Sequence, residues 1–219
     1  MWTSALFISL LATVSAASTS LDSRNFLTCP TNPFQPSGKL PYGSVSTSAL
    51  VQISAKQPYK AFPSSSWAKV TPNDYCTIFN LNLDPAATQG KIRSLLFDFP
   101  SILQAPLLYK FNGPSHFTFT GYAIGAGAKE GITTYANKPA AGSSPPNPPK
   151  VMLPGHSYVV NSSPCGIPSY IQPPVTVSGS LCSKDTWLEV KQSDVICPLG
   201  FYILLRDDLN WKPETGSGH

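Results

Sequence analysis

Few residues in this chain are able to do acid–base chemistry: three histidines, at positions 116, 156 and 219, and eleven Asp and Glu among 219 residues. Glycoside hydrolysis needs two carboxyl groups about 5 to 10 Å apart. Asp98 is the foremost candidate, because it lies inside an apolar run between Phe97 and Phe99, and Glu189 in a second apolar run comes next. Strand alternation gives a plainer reading, in which a residue between two inward aromatics points to water. Asp207 and Asp208 follow the last apolar run and read as a solvated end. His116 and His156 read as surface turn residues, and no His-x-x-x-His or His-x-Glu spacing occurs. Neither a Gly-x-Ser-x-Gly elbow nor a glycine-rich phosphate loop is present. The expectation is no catalytic residue, no metal site and no cofactor.

Cysteine is the other reactive type, with five residues: Cys29, Cys76, Cys165, Cys182 and Cys197. None is spaced two residues from another, as a zinc knuckle or redox pair would require. Disulfides are the expected use, with one cysteine left over. Five choices of the odd residue and three pairings of the rest leave fifteen arrangements open. The compartment follows from the first sixteen residues, MWTSALFISLLATVSA, whose apolar run Ala5 to Val14 is too short to span a bilayer and is followed by small residues. This reads as a signal peptide over 1–16, cut after Ala16 or after Ala17. The first mature residue is then Ala17 or Ser18, which excludes oxidation by a copper ion held on an N-terminal histidine. The ending NWKPETGSGH is polar, with no hydrophobic segment for lipid-anchor exchange. A secreted, extracellular chain without a membrane span is expected. Asn161-Ser162-Ser163 is a glycosylation sequon, placed on a loop by the Pro164 and Gly166 that follow.

Charge excludes one partner class. Charged residues are 12% of the chain, and the net charge of +4 is scattered with no basic run to track a phosphate backbone, so nucleic acid is not expected. Cell-wall glycan or an extracellular protein is the expected partner. Trp187 fits hairpin packing, whereas Trp67 and Trp211 are the candidate rings for stacking on sugars.

The elements that would position these residues are strands. Pro (23) and Gly (15) are abundant, a turn-rich β profile. Residues 17–46 carry prolines and glycines without periodicity and read as an irregular arm that Cys29 pins to the body. Regular structure begins near Ser48–Ser54, with Trp67–Val70 as a short edge strand. Tyr75–Leu83 ends at Asp84-Pro85, Ile92–Phe99 ends at Pro100, and the turn between them suggests a pair. Leu107–Phe111, Phe117–Ile124, Ile132–Tyr135, Val151–Leu153 and His156–Val160 continue the pattern, around a proline-rich loop at 139–149. Tyr170–Val177, broken by Pro173 and Pro174, reads as an edge or bulge. Thr186–Arg206 reads as a terminal hairpin whose Leu188, Phe201 and Ile203 are core. No window has a persuasive 3.6-residue period. The expected fold is all-β, an antiparallel β-sandwich or jelly-roll-like single domain over 47–206, with a barrel as the alternative and a polar tail at 207–219.

Several stretches in order resemble the C-terminal domain of the But-type (ubiquitin 3 binding protein) family, over about 75–206. They are CTIFNLNLD from Cys76, SLLFDFP from Ser94, FTFTG from Phe117, TTYANKP from Thr133, LPGHSYVV from Leu153, TWLEV from Thr186 and PLGFYILL from Pro198. The resemblance implies a fungal source, a β-sandwich-like domain on secreted or wall-associated proteins, and no catalytic residues. Many members have a cysteine where Ser94 stands, opposite the counterpart of Cys165, so Cys165 pairs elsewhere or stays free. The resemblance also implies, as an alternative, an intracellular partner: the activating enzyme of a ubiquitin-like protein. The leading expectation is a non-enzymatic surface or cell-wall binding module. A carbohydrate-active enzyme with an unrecognised carboxylate site is the other alternative.

Overall fold

The computed structural model describes residues 28–143 and 146–210. The expected signal peptide at 1–16, Trp211 and His219 lie outside the described residues. Eleven strands in chain order are β1 (Val45–Ser46), β2 (Ala49–Ser54), β3 (Trp67–Val70), β4 (Tyr75–Leu83), β5 (Lys91–Phe99), β6 (Tyr109–Asn112), β7 (Thr118–Gly121), β8 (His156–Pro164), β9 (Val175–Cys182), β10 (Trp187–Lys191) and β11 (Gly200–Asp207). They form three antiparallel sheets, in the orders β1-β11-β5-β8, β2-β4-β9-β7 and β3-β10-β6. The protein is all-β, as its composition and alternation require, and consistent with a β-sandwich.

Aromatic side chains join the two four-stranded sheets. Phe79 of β4 stacks on Phe201 of β11 with centroids 4.0 Å apart, and Phe97 of β5 flanks the same ring at 4.7 Å. Phe119 of β7 meets Phe201 edge-on. Each such pair adds about 0.5–1.5 kcal/mol beyond the area it buries. The three-stranded sheet feeds Val70, Tyr109, Leu188 and Val190 into the same cluster. Leu188, Phe201 and Ile203 are all buried there, as expected.

Four expectations about strands and their pairing change. β4 and β5 are not partners but belong to different four-stranded sheets; the Asp84–Gly90 connection, with its short 3-10 turn at Ala86–Thr88, arches between those sheets. The terminal unit is not a ladder, since β10 pairs with β3 and β6 while β11 pairs with β1 and β5. Only a Ser193–Leu199 bridge joins the two ends. Side chains add to it: Gln192 Oε1 accepts from the Phe201 N–H at 2.9 Å, its Nε2 donates to the Phe201 carbonyl at 2.8 Å, and the Tyr202 hydroxyl donates to the Ser193 carbonyl at 2.6 Å. Gly200, at φ +110°, makes room for Gln192, because a Cβ there would stand 2.0 Å from that Oε1. Residues 132–135 and 151–153 are not strands. Finally, β9 is an interior strand between β4 and β7, starting only at Val175 because Pro173 and Pro174 cannot donate to a ladder.

Candidate functional site

Asp98 is the most chemically unusual residue of the fold. On β5 it faces away from Phe97 and Phe99, as alternation demands, but not into water: it is 3% exposed. The arm covers it. Asn32 organises a turn there by accepting from the N–H groups of Phe34 and Gln35 at 2.7 and 2.9 Å, an Asx turn that aims Gln35 inward. Gln35 Nε2 then donates to Asp98 Oδ2 at 3.1 Å, while Ser157 of β8 donates to Oδ1. Asn32 Nδ2 completes the cluster with bonds to Gln35 Oε1 at 2.7 Å and Ser157 Oγ at 2.6 Å. Burial raises the Asp98 pKa from 3.8 to about 6, against the lowering effect of the Ser157 and Gln35 bonds. The arm is fixed on either side of this cluster. Arg206 lies over the Phe34 ring at 3.7 Å, and Gly38, at φ +67°, leaves no space for a Cβ against Cys29.

Glu189 is elsewhere, on the outward face of β10, 3.9 Å from Lys69 of β3. The structure therefore does not bring Asp98 and Glu189 together. It does form a pair that the sequence concealed: His116 Nδ1 and Asp185 Oδ2 are 2.7 Å apart, linking residues 69 positions apart. Hydrogen bonds from Thr186 and His116 hold the Asp185 carboxyl below its usual range. This resembles the base and orienting acid of a hydrolytic triad, but the nearby Ser183 hydroxyl donates to the His116 carbonyl oxygen, not to its ring. The pair clamps the start of β7 to the β9–β10 turn. Among the described residues no three His, Cys, Asp or Glu converge as a metal would need.

At one end of the fold three segments frame a cleft of about 730 Å³: the β4–β5 turn, the loop after β8 and the residue following β11. Bonds across it fix the frame, from Gln89 Nε2 to Ile167 O at 2.9 Å, Cys165 N to Lys91 O at 2.9 Å and Asp208 N to Gly90 O at 2.8 Å. Tyr170, 82% exposed, lines it.

Comparison with known families matches residues 48–194 to the ubiquitin 3 binding protein But2 C-terminal domain. The chain belongs to the But2 C-terminal domain family. No curated protein matches it. The match begins earlier than the sequence resemblance, at the start of β2, and stops before β11. Asp98 and Ser157 lie inside the But2 match, while Asn32 and Gln35, which seal Asp98, lie outside it.

The cysteines divide in the same way. Cys76–Cys182 is internal to the But2 match, and Cys29–Cys197 joins residues flanking it, 168 positions apart. Cys165 is the free one, 2% exposed. Burial pushes its thiol pKa up, with Arg93 opposing. Ser94 pairs instead with Ser162, their hydroxyls 3.0 Å apart. Asn161 is not on a loop but within edge strand β8, opposite Leu95, because Pro164 closes that strand instead of preceding a turn. Trp67 is half-buried at the start of β3. No described helix is long and apolar enough to cross a membrane.

Proposed function

We propose that this But2-domain protein is a secreted, non-enzymatic module acting by surface contact, with a cell-wall glycan or an extracellular protein as its partner. The observation that carries the reading is the sealing of Asp98. The groups facing it are the Gln35 amide and the Ser157 hydroxyl, so it has neither solvent access nor a partner carboxylate for hydrolysis. Two disulfides support the secreted half, because such bonds persist in oxidising compartments. The test is incubation of the mature protein from culture medium with chitin, β-glucan, cellulose and pectin. No reducing sugar is expected. Release that disappears in Asp98→Asn or Glu189→Gln would replace this reading by that of a carbohydrate-active enzyme.

The family's description favours a second reading, in which the domain binds a component of ubiquitin-like conjugation inside the cell. Amino-terminal sequencing separates the two. A chain beginning at Ala17 or Ser18 in the medium supports secretion, and intact Met1 in the cytosol supports the intracellular partner.

A further inference from the structure

We propose that the cleft between the β4–β5 turn and the loop after β8 binds a neutral oligosaccharide, with Tyr170 as its stacking surface. The inference rests on the surface-contact reading and gives it a place and a ligand class. The volume of about 730 Å³ falls within the range of roughly 300–1,000 Å³ typical of small-molecule sites, and exceeds what a single water-sized void would give. The frame is already braced by the three cross-segment bonds, so little ordering opposes binding.

The lining chemistry selects among ligands. Tyr170 presents an amphipathic ring to solvent, able to take the C–H face of a pyranose. Around it stand both donors and acceptors with unused capacity. Gln89 spends its two amide hydrogens on the Pro85 and Ile167 carbonyls, leaving Oε1 to accept. Asp208 uses one oxygen on the Asn210 N–H and keeps the other. The Lys91 ammonium bonds Asp207 through one of its three hydrogens, and the Ser169 side chain is exposed. The hydroxyls of a sugar, each both donor and acceptor, match this mixed set.

Other ligand classes fit less well. A phosphate or uronate polymer would meet only one ammonium, already neutralised by Asp207, with Asp208 beside it. An acyl chain needs a continuous apolar floor, whereas Cys165 and Ile167 are buried beneath the surface and the more open Pro164 and Pro168 share the lining with Lys91 and Asp208. A neutral polyol needs neither.

The experiment is calorimetric titration of the folded mature chain with chitohexaose, laminarihexaose, cellohexaose and, as the anionic probe, oligogalacturonate. At least one neutral hexasaccharide should bind, and Tyr170→Ala should weaken it about tenfold or more, with an unchanged circular dichroism spectrum because the ring is exposed. Ser169→Ala should weaken the same sugar by a smaller factor. Equal binding by wild type and Tyr170→Ala, preference for oligogalacturonate, or no binding of any neutral hexasaccharide would each end the assignment. Retention of both wild type and Tyr170→Ala on whole cell-wall material would likewise overturn the cleft assignment, while leaving the surface-contact reading standing.

Discussion

Asp98 ought to make this protein less stable as the pH rises from about 4 to about 6. Its folded pKa of about 6 lies above the unfolded 3.8, so folding takes up a proton between those values. The contribution is fully present below pH 3.8 and is lost as the pH passes through 6. At 1.36 kcal/mol per pH unit, that separation corresponds to about 3 kcal/mol. Asp98→Asn removes the ionisation without emptying the site. The asparagine oxygen can accept from Gln35 Nε2, and its amide can donate to Ser157 Oγ. The serine proton can then turn to Gln35 Oε1, which already lies 3.0 Å away. Urea unfolding followed by tryptophan fluorescence at half-unit steps from pH 3.5 to 8 measures both proteins. The two should be nearly equal at pH 3.5, and the variant should be more stable by as much as about 3 kcal/mol at pH 7. Taking the difference cancels the carboxylates that behave oppositely, such as Asp185, whose pKa is lowered and whose contribution is lost on acidification. A pH-independent difference, or a variant that becomes less stable than wild type as pH rises, would refute the sealed-carboxylate geometry.

The remaining expectations concern the cross-links and the core. Replacing Cys29 and Cys197 together by alanine frees a 168-residue separation and should cost about 3–5 kcal/mol in urea unfolding, with the arm becoming cleavable by limited proteolysis; an unchanged midpoint would mean the arm is held without the bond. Thiol titration should find one reactive group per chain in denaturant and almost none in the native protein, since Cys165 is buried with a raised pKa; fast native labelling would contradict its placement. Gln192→Ala should destabilise by about 1–3 kcal/mol by leaving the Phe201 N–H and carbonyl without partners, and normal stability would show that water replaces the amide. Ile203→Asp places a charge in the apolar centre and should abolish the yield of folded protein, at a cost of several kcal/mol; a normal yield with an unchanged unfolding midpoint would remove β11 from the core.

Local pattern was a good guide to which residues form strands and which of their faces is apolar. Tyr75–Leu83, the body of β5, and the core positions Leu188, Phe201 and Ile203 all follow from β-branched and aromatic composition with proline stops. Partners were harder to read, because apolar runs next to each other in sequence look the same whether they pair or lie in separate sheets. β10 and β11 part because the Gln192 side chain satisfies Phe201 and takes the place of a ladder. β9 was half missed since VTVSGSLC is rich in serine and glycine, although Val175, Val177 and Leu181 alternate through it.

Asp98 shows where alternation stops being informative. The period-two rule correctly turned it away from Phe97 and Phe99, but the step from outward to solvated assumed that nothing lies on that face. What covers it is Gln35, 63 residues upstream in a segment without periodicity, and only an Asx turn at Asn32 directs it there. The cleft eluded the sequence for the same reason. Gln89, Tyr170 and Asp208 belong to three separate segments and share no motif, so only their assembly at one end of the fold makes them neighbours. Loops at the end of a sandwich are free to vary while the sheets hold them, which is where contact function is expected to reside. By the same logic the sealed carboxylate belongs to the packing of the arm, and the exposed ring of Tyr170 is where the proposed contact is to be tested.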